Sequence, residues 1–194
     1  MINLLKYRTG LIAVMFGLFG GALSKLLEID EMTKFYTALS SLIGLVISLL
    51  VSFLLKGKWS NHLKNNLKII SIILFAGLIL TAYLHTKYFM ECTFSYPNYA
   101  GTTSYYVKGY EYTLLAQKYK ASHPEIKSDT DLIYTGFSPA EIDKVWTQES
   151  IQENLLKLIT SYSLLVIFFV SIVSLLMEVL IVHYSASTSK TMQS

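Results

Sequence analysis

Glu178 is the only charged residue in the apolar run from Leu158 to Val182. At 100° per residue it shares a sector of about 80° with Thr160, Ser163, Ser171 and Ser174, interrupted by Ile167. A carboxylate aligned with hydroxyls on an apolar helix can pass a cation or serve as a gating contact when that line faces water or protein. Ser171, Ser174 and Glu178 are therefore the candidate pore or gating residues. The plainer alternative is a carboxylate near a helix end that reaches the membrane interface or is hydrogen-bonded within a bundle.

Other reactive residue types are scattered. His85 and His183 fall near opposite ends of the apolar regions, so they are expected at opposite membrane surfaces and share no site. Glu149 and Glu153 lie one helical turn apart without a third ligand and read as a solvated face. Cys92 is the single cysteine and cannot form an internal disulfide; it reads as a small semi-buried side chain, with an intermolecular disulfide as the alternative. P-loop, GxGxxG, HExxH, CxxC and Gly-x-Ser-x-Gly patterns are missing. No catalytic, cofactor-binding or metal-ligating residues are assigned, and no cofactor is expected. The chain reads as non-enzymatic.

The elements that carry these residues are set by hydropathy. Of the 194 residues, 53% are hydrophobic and 15% charged, too oily for a soluble domain of this length. Charges are nearly excluded from four segments, 10–27, 36–55, 69–85 and 158–182, which hold only Lys25 and Glu178. Each approaches the length of about 20 residues that spans a bilayer as a helix. Helices are the natural reading, because every backbone group in hydrocarbon must be satisfied internally. Lys6 and Arg8 before the first apolar run, with Ala22-Leu-Ser24 near its end, also resemble a cleavable signal; we read the run as a retained span. The expected fold is an all-α polytopic membrane protein. It has four transmembrane helices and a small outer, periplasmic or extracellular, insertion between the third and fourth. Its parts are three spans with short loops over 1–87, the insertion over 88–154, the fourth span over 155–184 and a tail over 185–194.

Basic residues orient the chain. Lys6 and Arg8 precede the first span, and Lys56, Lys58, Lys64 and Lys68 lie between the second and third without an acid. The 28–35 loop instead carries Glu28, Asp30 and Glu31. The positive-inside rule then puts both termini in the cytoplasm of a cell, inner, membrane. The net charge of +3 reflects these flanking lysines, so direct nucleic-acid binding is not expected.

The insertion holds Tyr88, Tyr96, Tyr99, Tyr105, Tyr106, Tyr110, Tyr112, Tyr119 and Tyr134, more than half of the 14 tyrosines. Tyrosine suits both a membrane–water belt and a recognition surface. Residues around Pro97, Asn98 and Gly101 read as irregular or short extended structure, and YEYTLLAQKYKA as a short helix ending before His123-Pro124. Ser138, Pro139 and Glu141 suggest a helix start with a capping box. A helix restarts near Thr147 and is expected to run unbroken to about Tyr184, far longer than a bilayer needs.

Small residues mark packing faces. Ser40, Gly44, Ser48 and Ser52 recur every four positions in the second span; Ala13, Gly17 and Gly21 do so in the first. Such faces allow close backbone approach in lipid, and the expected arrangement is a hairpin of the first two spans. A symmetric neighbour would help stabilise so small an insertion, so a homo-oligomer is expected.

With cytoplasmic parts too short for an effector domain, the favoured function is an oligomeric membrane sensor or scaffold in contact with membrane lipid. A cytoplasmic protein partner would dock around Trp59 and His62. The alternative is a small oligomeric ion channel lined by the fourth helix. In span count, spacing and the insertion before the last span, the whole chain resembles the KwaA family, the membrane subunit of the bacterial Kiwa anti-phage defence system. The resemblance is one of architecture and transfers no functional residue. It implies an oligomeric envelope sensor in antiviral defence, paired with a cytoplasmic DNA-acting protein.

Overall fold

The computed structural model describes residues 33–55, 61–97 and 103–191. It is mostly helical, and three helices are long and apolar enough to cross a membrane. Helix α1, Thr33–Leu55, corresponds to the second span; α2, Asn61–Cys92, contains the third. The first span lies outside the described residues, as does the hairpin it was expected to form. After α2 come β1 (Thr93–Pro97), β2 (Thr103–Val107), α3 (Leu114–Ser122) and α4 (Asp129–Gly136). A 3-10 turn, Pro139–Glu141, leads into α5 (Ile142–Val145), and α6 runs over Gln148–Thr191. At 1.5 Å per residue α6 is about 66 Å long, against about 30 Å of hydrocarbon.

The chain divides into two compact units. The first takes in Thr37–Ala82 and α6 from Ser163 onward. Here an added Cβ on Gly44 of α1 would lie 3.8 Å from Val170 of α6, an ordinary contact. Gly77 of α2 is closer: its Cβ would come within 2.5 Å of the Phe168 ring. Leu55, Leu67 and Leu175 form a buried cluster with Val51 and Leu74 against it. Moving from Gly44 to Leu55 on α1 therefore moves from Val170 toward Leu175 on α6, so these helices run in the same direction. Gly77 meets Phe168 and Leu67 meets the Leu175 cluster, so α2 runs the opposite way. Leu49, Phe53, Ile72, Phe75 and Leu176 stand exposed on these helices, as lipid-facing residues would.

The second unit takes in Tyr36 and Tyr83–Tyr162. Trp146 anchors its core, 1% exposed, with Phe94, Ala116, Ile126, Leu132, Ile133 and Val145. Strands β1 and β2 pair antiparallel from Thr93↔Val107 to Pro97↔Thr103. Thus the stretch expected to be irregular or briefly extended contains a short ladder. Cross-strand Phe94 and Tyr106 stack at 5.6 Å, and Phe94 continues onto Trp146 at 5.5 Å. Residues 111–113 dock beside 145–147: the Thr113 amide donates to the Val145 carbonyl and the Thr147 amide to Glu111, both at 2.9 Å.

Local capping explains the helix starts. Thr113 caps α3 by accepting from the Ala116 amide, and its hydroxyl donates to the Lys144 carbonyl. The expected helix of YEYTLLAQKYKA is α3, and it ends before Pro124. Ser138 does not make the expected side-chain cap: the chain begins with a 3-10 turn in which the Glu141 amide bonds to the Ser138 carbonyl, which leaves its side chain without a capping role. The full capping box instead opens α4, where Ser128 Oγ accepts from the Asp131 amide and Asp131 accepts from the Ser128 amide.

Candidate functional site

Two polar assemblies lie within the second unit. The first is set into the apolar helices. His85 of α2, 4% exposed, meets Ser161 of α6, with Nδ1 and Oγ 2.8 Å apart. Tyr162 packs 5.8 Å from the imidazole and 4.4 Å from Tyr36 of α1, ring to ring. Ser161 Oγ also lies 3.1 Å from the Leu158 carbonyl. A hydroxyl has one proton to give. If Ser161 donates it to Leu158, its oxygen accepts from His85 Nδ1–H, and Nε2 is left as a buried acceptor. His85 Nε2 has no hydrogen-bond partner among the described residues. His85, expected near a membrane surface, is buried in this contact, which nothing in the linear order announces, since its partner is 76 residues away.

The second assembly holds β2, α3 and α4 together. Lys108 Nζ donates to Asp129 Oδ2 at 2.6 Å, and the Tyr112 hydroxyl donates to Oδ1 at 2.5 Å. Lys120 donates to the Tyr112 hydroxyl at 3.1 Å and lies 4.3 Å over its ring. Burial acts to raise the Asp129 pKa, but hydrogen bonds from Lys108 and Tyr112 and the charges of Lys108 and Lys120 outweigh it, so the carboxyl is held below its ordinary value. Burial, followed by the bond to the Asp129 carboxylate, pushes the Tyr112 phenol above its ordinary value. Asn154 of α6, itself buried, donates to the Lys108 carbonyl at 2.8 Å, so this network is tied to the start of α6. Glu153, read as solvated, accepts from the exposed Tyr110 hydroxyl at 2.8 Å.

Beside this network lies a groove of about 550 Å³, between the end of α2, the hairpin and the first turn of α4. Its lining includes Phe89, Met90, Phe94 and Tyr105 together with Lys108, Lys127 and Asp129. Sequence reasoning missed the groove and α4. The Ser128-x-x-Asp131 spacing was the available signal for the helix; none existed for a contact across 21 residues.

The residues singled out from the sequence do not converge. Ala13, Gly17, Gly21 and Trp59 lie outside the described residues, and His62 lies in the first turn of α2. Ser40 is buried; Gly44, Ser48 and Ser52 are half-buried, and the contact found at Gly44 is Val170 of α6. On α6, Ser174 and Glu178 are buried, Ser171 is half-buried and Thr160 is exposed. The buried line instead runs Leu158, Tyr162, Val166, Val170, Ser174, Glu178. Steps of four residues turn about 40° each, so this line winds around the helix and meets the axial polar sector only at Ser174 and Glu178. Ser174 Oγ has no hydrogen-bond partner among the described residues. Cys92 is buried and free. No group of three metal-ligating side chains occurs among the described residues.

No family model, curated protein or solved structure matches the chain. Its class follows from the helices alone: a mostly helical protein with three helices, among the described residues, long and apolar enough to cross a membrane.

Proposed function

We propose that the chain is a non-enzymatic membrane sensor or scaffold subunit, in which the Trp146-centred unit receives a signal outside the membrane and a cytoplasmic protein acts on it. Backbone continuity is the observation that carries this reading. Helix α2 passes into β1 at Cys92–Thr93, and only Thr147 separates α5's capping residue, Trp146, from the start of α6. A ligand that shifts the Trp146 core therefore acts on the first turn of a helix that continues to Thr191. The unit has four aromatic pairings through Phe94, Tyr96, Tyr106, Tyr112, Tyr134 and Trp146, and the exposed Tyr134 and Tyr110 carry this aromatic composition to its surface, where it suits recognition. In this reading the chain is a homo-oligomer in the inner membrane, its first span completes four, and both termini are cytoplasmic. The likeness to KwaA points the same way, toward a DNA-acting partner docked around Trp59 and His62. Affinity capture of the tagged chain from native membranes tests the proposal. A stoichiometric soluble partner, lost with Trp59→Ala, is the expected result; capture of the chain alone counts against it.

A small oligomeric channel is the second reading, favoured by the burial of Glu178 one turn from Ser174. Ion flux through liposomes holding the purified chain, abolished or made less cation-selective by Glu178→Gln, is its signature.

A further inference from the structure

His85 is buried where α2 meets α6, yet only one of its ring nitrogens is bonded among the described residues: Nδ1 meets Ser161 Oγ, and Nε2 has no partner. Two elements close on it. Helix α6 brings Ser161 and Tyr162, and α1 brings Tyr36 behind Tyr162. The titratable groups facing the imidazole are therefore phenols, which carry no charge well below about pH 10. The charged side chains on the same helices are committed elsewhere. Lys87 and Glu91 of α2 pair with each other at 3.9 Å and are exposed, and Lys157 of α6 donates to Asn154 at 3.2 Å. His85 takes part in no ion pair among the described residues. A neutral imidazole leaves this site one unmade hydrogen bond. An imidazolium adds a buried charge with no counter-charge, which is far more costly. Imidazole is also the side chain whose ordinary titration, at about 6.5, falls near neutral pH. A reporter stands on the same seam. Cys92 follows His85 by seven residues, which returns it to within about 20° of the same face of α2. Its thiol is free and buried. On the antiparallel α6, the buried Asn154 precedes Ser161 by the same interval and donates to the Lys108 carbonyl, while the Lys108 amide donates to the Cys92 carbonyl at 2.9 Å. His85 with Ser161, and Cys92 with Asn154, mark two levels of one seam.

We propose that His85 is a proton-operated latch on this seam: neutral, it lets α2 and α6 close over it; protonated, it parts them so that the imidazolium reaches water. The sign follows from where the proton is tolerated. The parted arrangement accepts it and the closed one does not, so falling pH favours parting, and the seam is at full strength above the ordinary imidazole range. Ser161 can keep its contact with Nδ1–H in either charge state, which leaves Nε2 as the atom where the proton arrives. The inference stands apart from the sensor reading, since it needs neither a partner nor an oligomer. Partner capture that fails leaves it intact, and a seam that ignores pH sinks it alone.

Labelling of Cys92 by excess dipyridyl disulfide, in the full chain in mild detergent, tests it from about pH 7.5 to about pH 5.5, either side of the ordinary imidazole value and above the carboxylate range. Each rate is divided by that of His85→Phe at the same pH, which cancels the titration of the thiol itself. The ratio should rise about tenfold over this range, as expected of a group that takes its proton only when the seam parts. His85→Gln, polar but without a titrating proton, should match His85→Phe and replaces it as the reference if the phenyl ring does not fit. His123→Gln removes another imidazole of the same unit and should keep the rise. Trp146 emission in a Trp59→Phe background should stay constant throughout, which separates parting of the seam from unfolding of the core. A ratio that stays flat, a rise that persists in His85→Gln, a rise that His123→Gln abolishes, or a Trp146 signal lost in step with labelling overturns the proposal.

Discussion

Asp129 ties three elements together through two hydrogen bonds, and its charge makes that tie dependent on pH. Its folded pKa lies below the ordinary value, so the unfolded chain binds more protons in mild acid. The stability contributed is fully present above the ordinary carboxylate range and is lost as pH falls through that range. Asp129→Asn should lower unfolding stability at neutral pH by about 1–3 kcal/mol, the cost of leaving a partly buried partner unsatisfied. That deficit should shrink as the pH is lowered. Trp146 fluorescence in a Trp59→Phe background reports it; a deficit that does not change with pH would mean that the charge has no part in the tie. His85 poses the opposite case. Its Nε2 is buried without a described partner, so His85→Phe removes a polar cost while keeping a ring beside Tyr162. The melting temperature should stay level or rise, whereas a fall of several degrees would show that an imidazole nitrogen holds the helices together.

Among the elements, α4 depends on its cap and α6 on the residues that seat its first turns. Ser128→Ala removes the acceptor for the Asp131 amide and should cost about 0.5–2 kcal/mol, read by the same fluorescence. Ser138→Ala is expected to be milder, because Ser138 makes no side-chain cap; an equal loss would show that the two helix starts do not differ in this way. Gly109 lies where an added methyl would strike Ser150 Oγ and Trp146 Cβ. Gly109→Ala should cost about 1–3 kcal/mol through overpacking. Shortening the obstacle with Ser150→Gly in the same chain should recover part of that loss. If it recovers none, the cost comes from the contact with Trp146 Cβ.

For the whole molecule, orientation and assembly decide between sensor and channel. Reporter fusions at Lys58 and Ser194 should give cytoplasmic signals, and one at Lys120 an outer signal. A cytoplasmic signal at Lys120 would defeat the topology. If the chain is a sensor, the purified protein should conduct little and Glu178→Gln should leave partner capture intact. Robust conductance that depends on Glu178 would favour the channel instead. Native mass spectrometry that gives only a monomer across several detergents would remove the homo-oligomer from either reading.

The three membrane-length helices described here were legible in the sequence because hydropathy is a local property: runs such as Ala38–Leu55 announce themselves residue by residue. The unbroken helix from Gln148 was legible too, since no proline or glycine interrupts it from there to Thr191. Helix α3 and its stop before Pro124 followed from local backbone rules. Which neighbour meets which face was not legible. Gly44 could be recognised as a packing residue, but its contact with Val170 depends on where α6 passes. The polar sector of α6 was drawn along a straight axis, whereas burial follows a line that winds past Val166 and Val170 to Ser174 and Glu178. The groove, the Lys108–Asp129–Tyr112 tie and the His85–Ser161 contact join residues brought together by chain reversals. Hydropathy and capping act over a few residues and can be read in order; pairing between distant side chains is settled by how whole elements pack, and only the tertiary structure decided it.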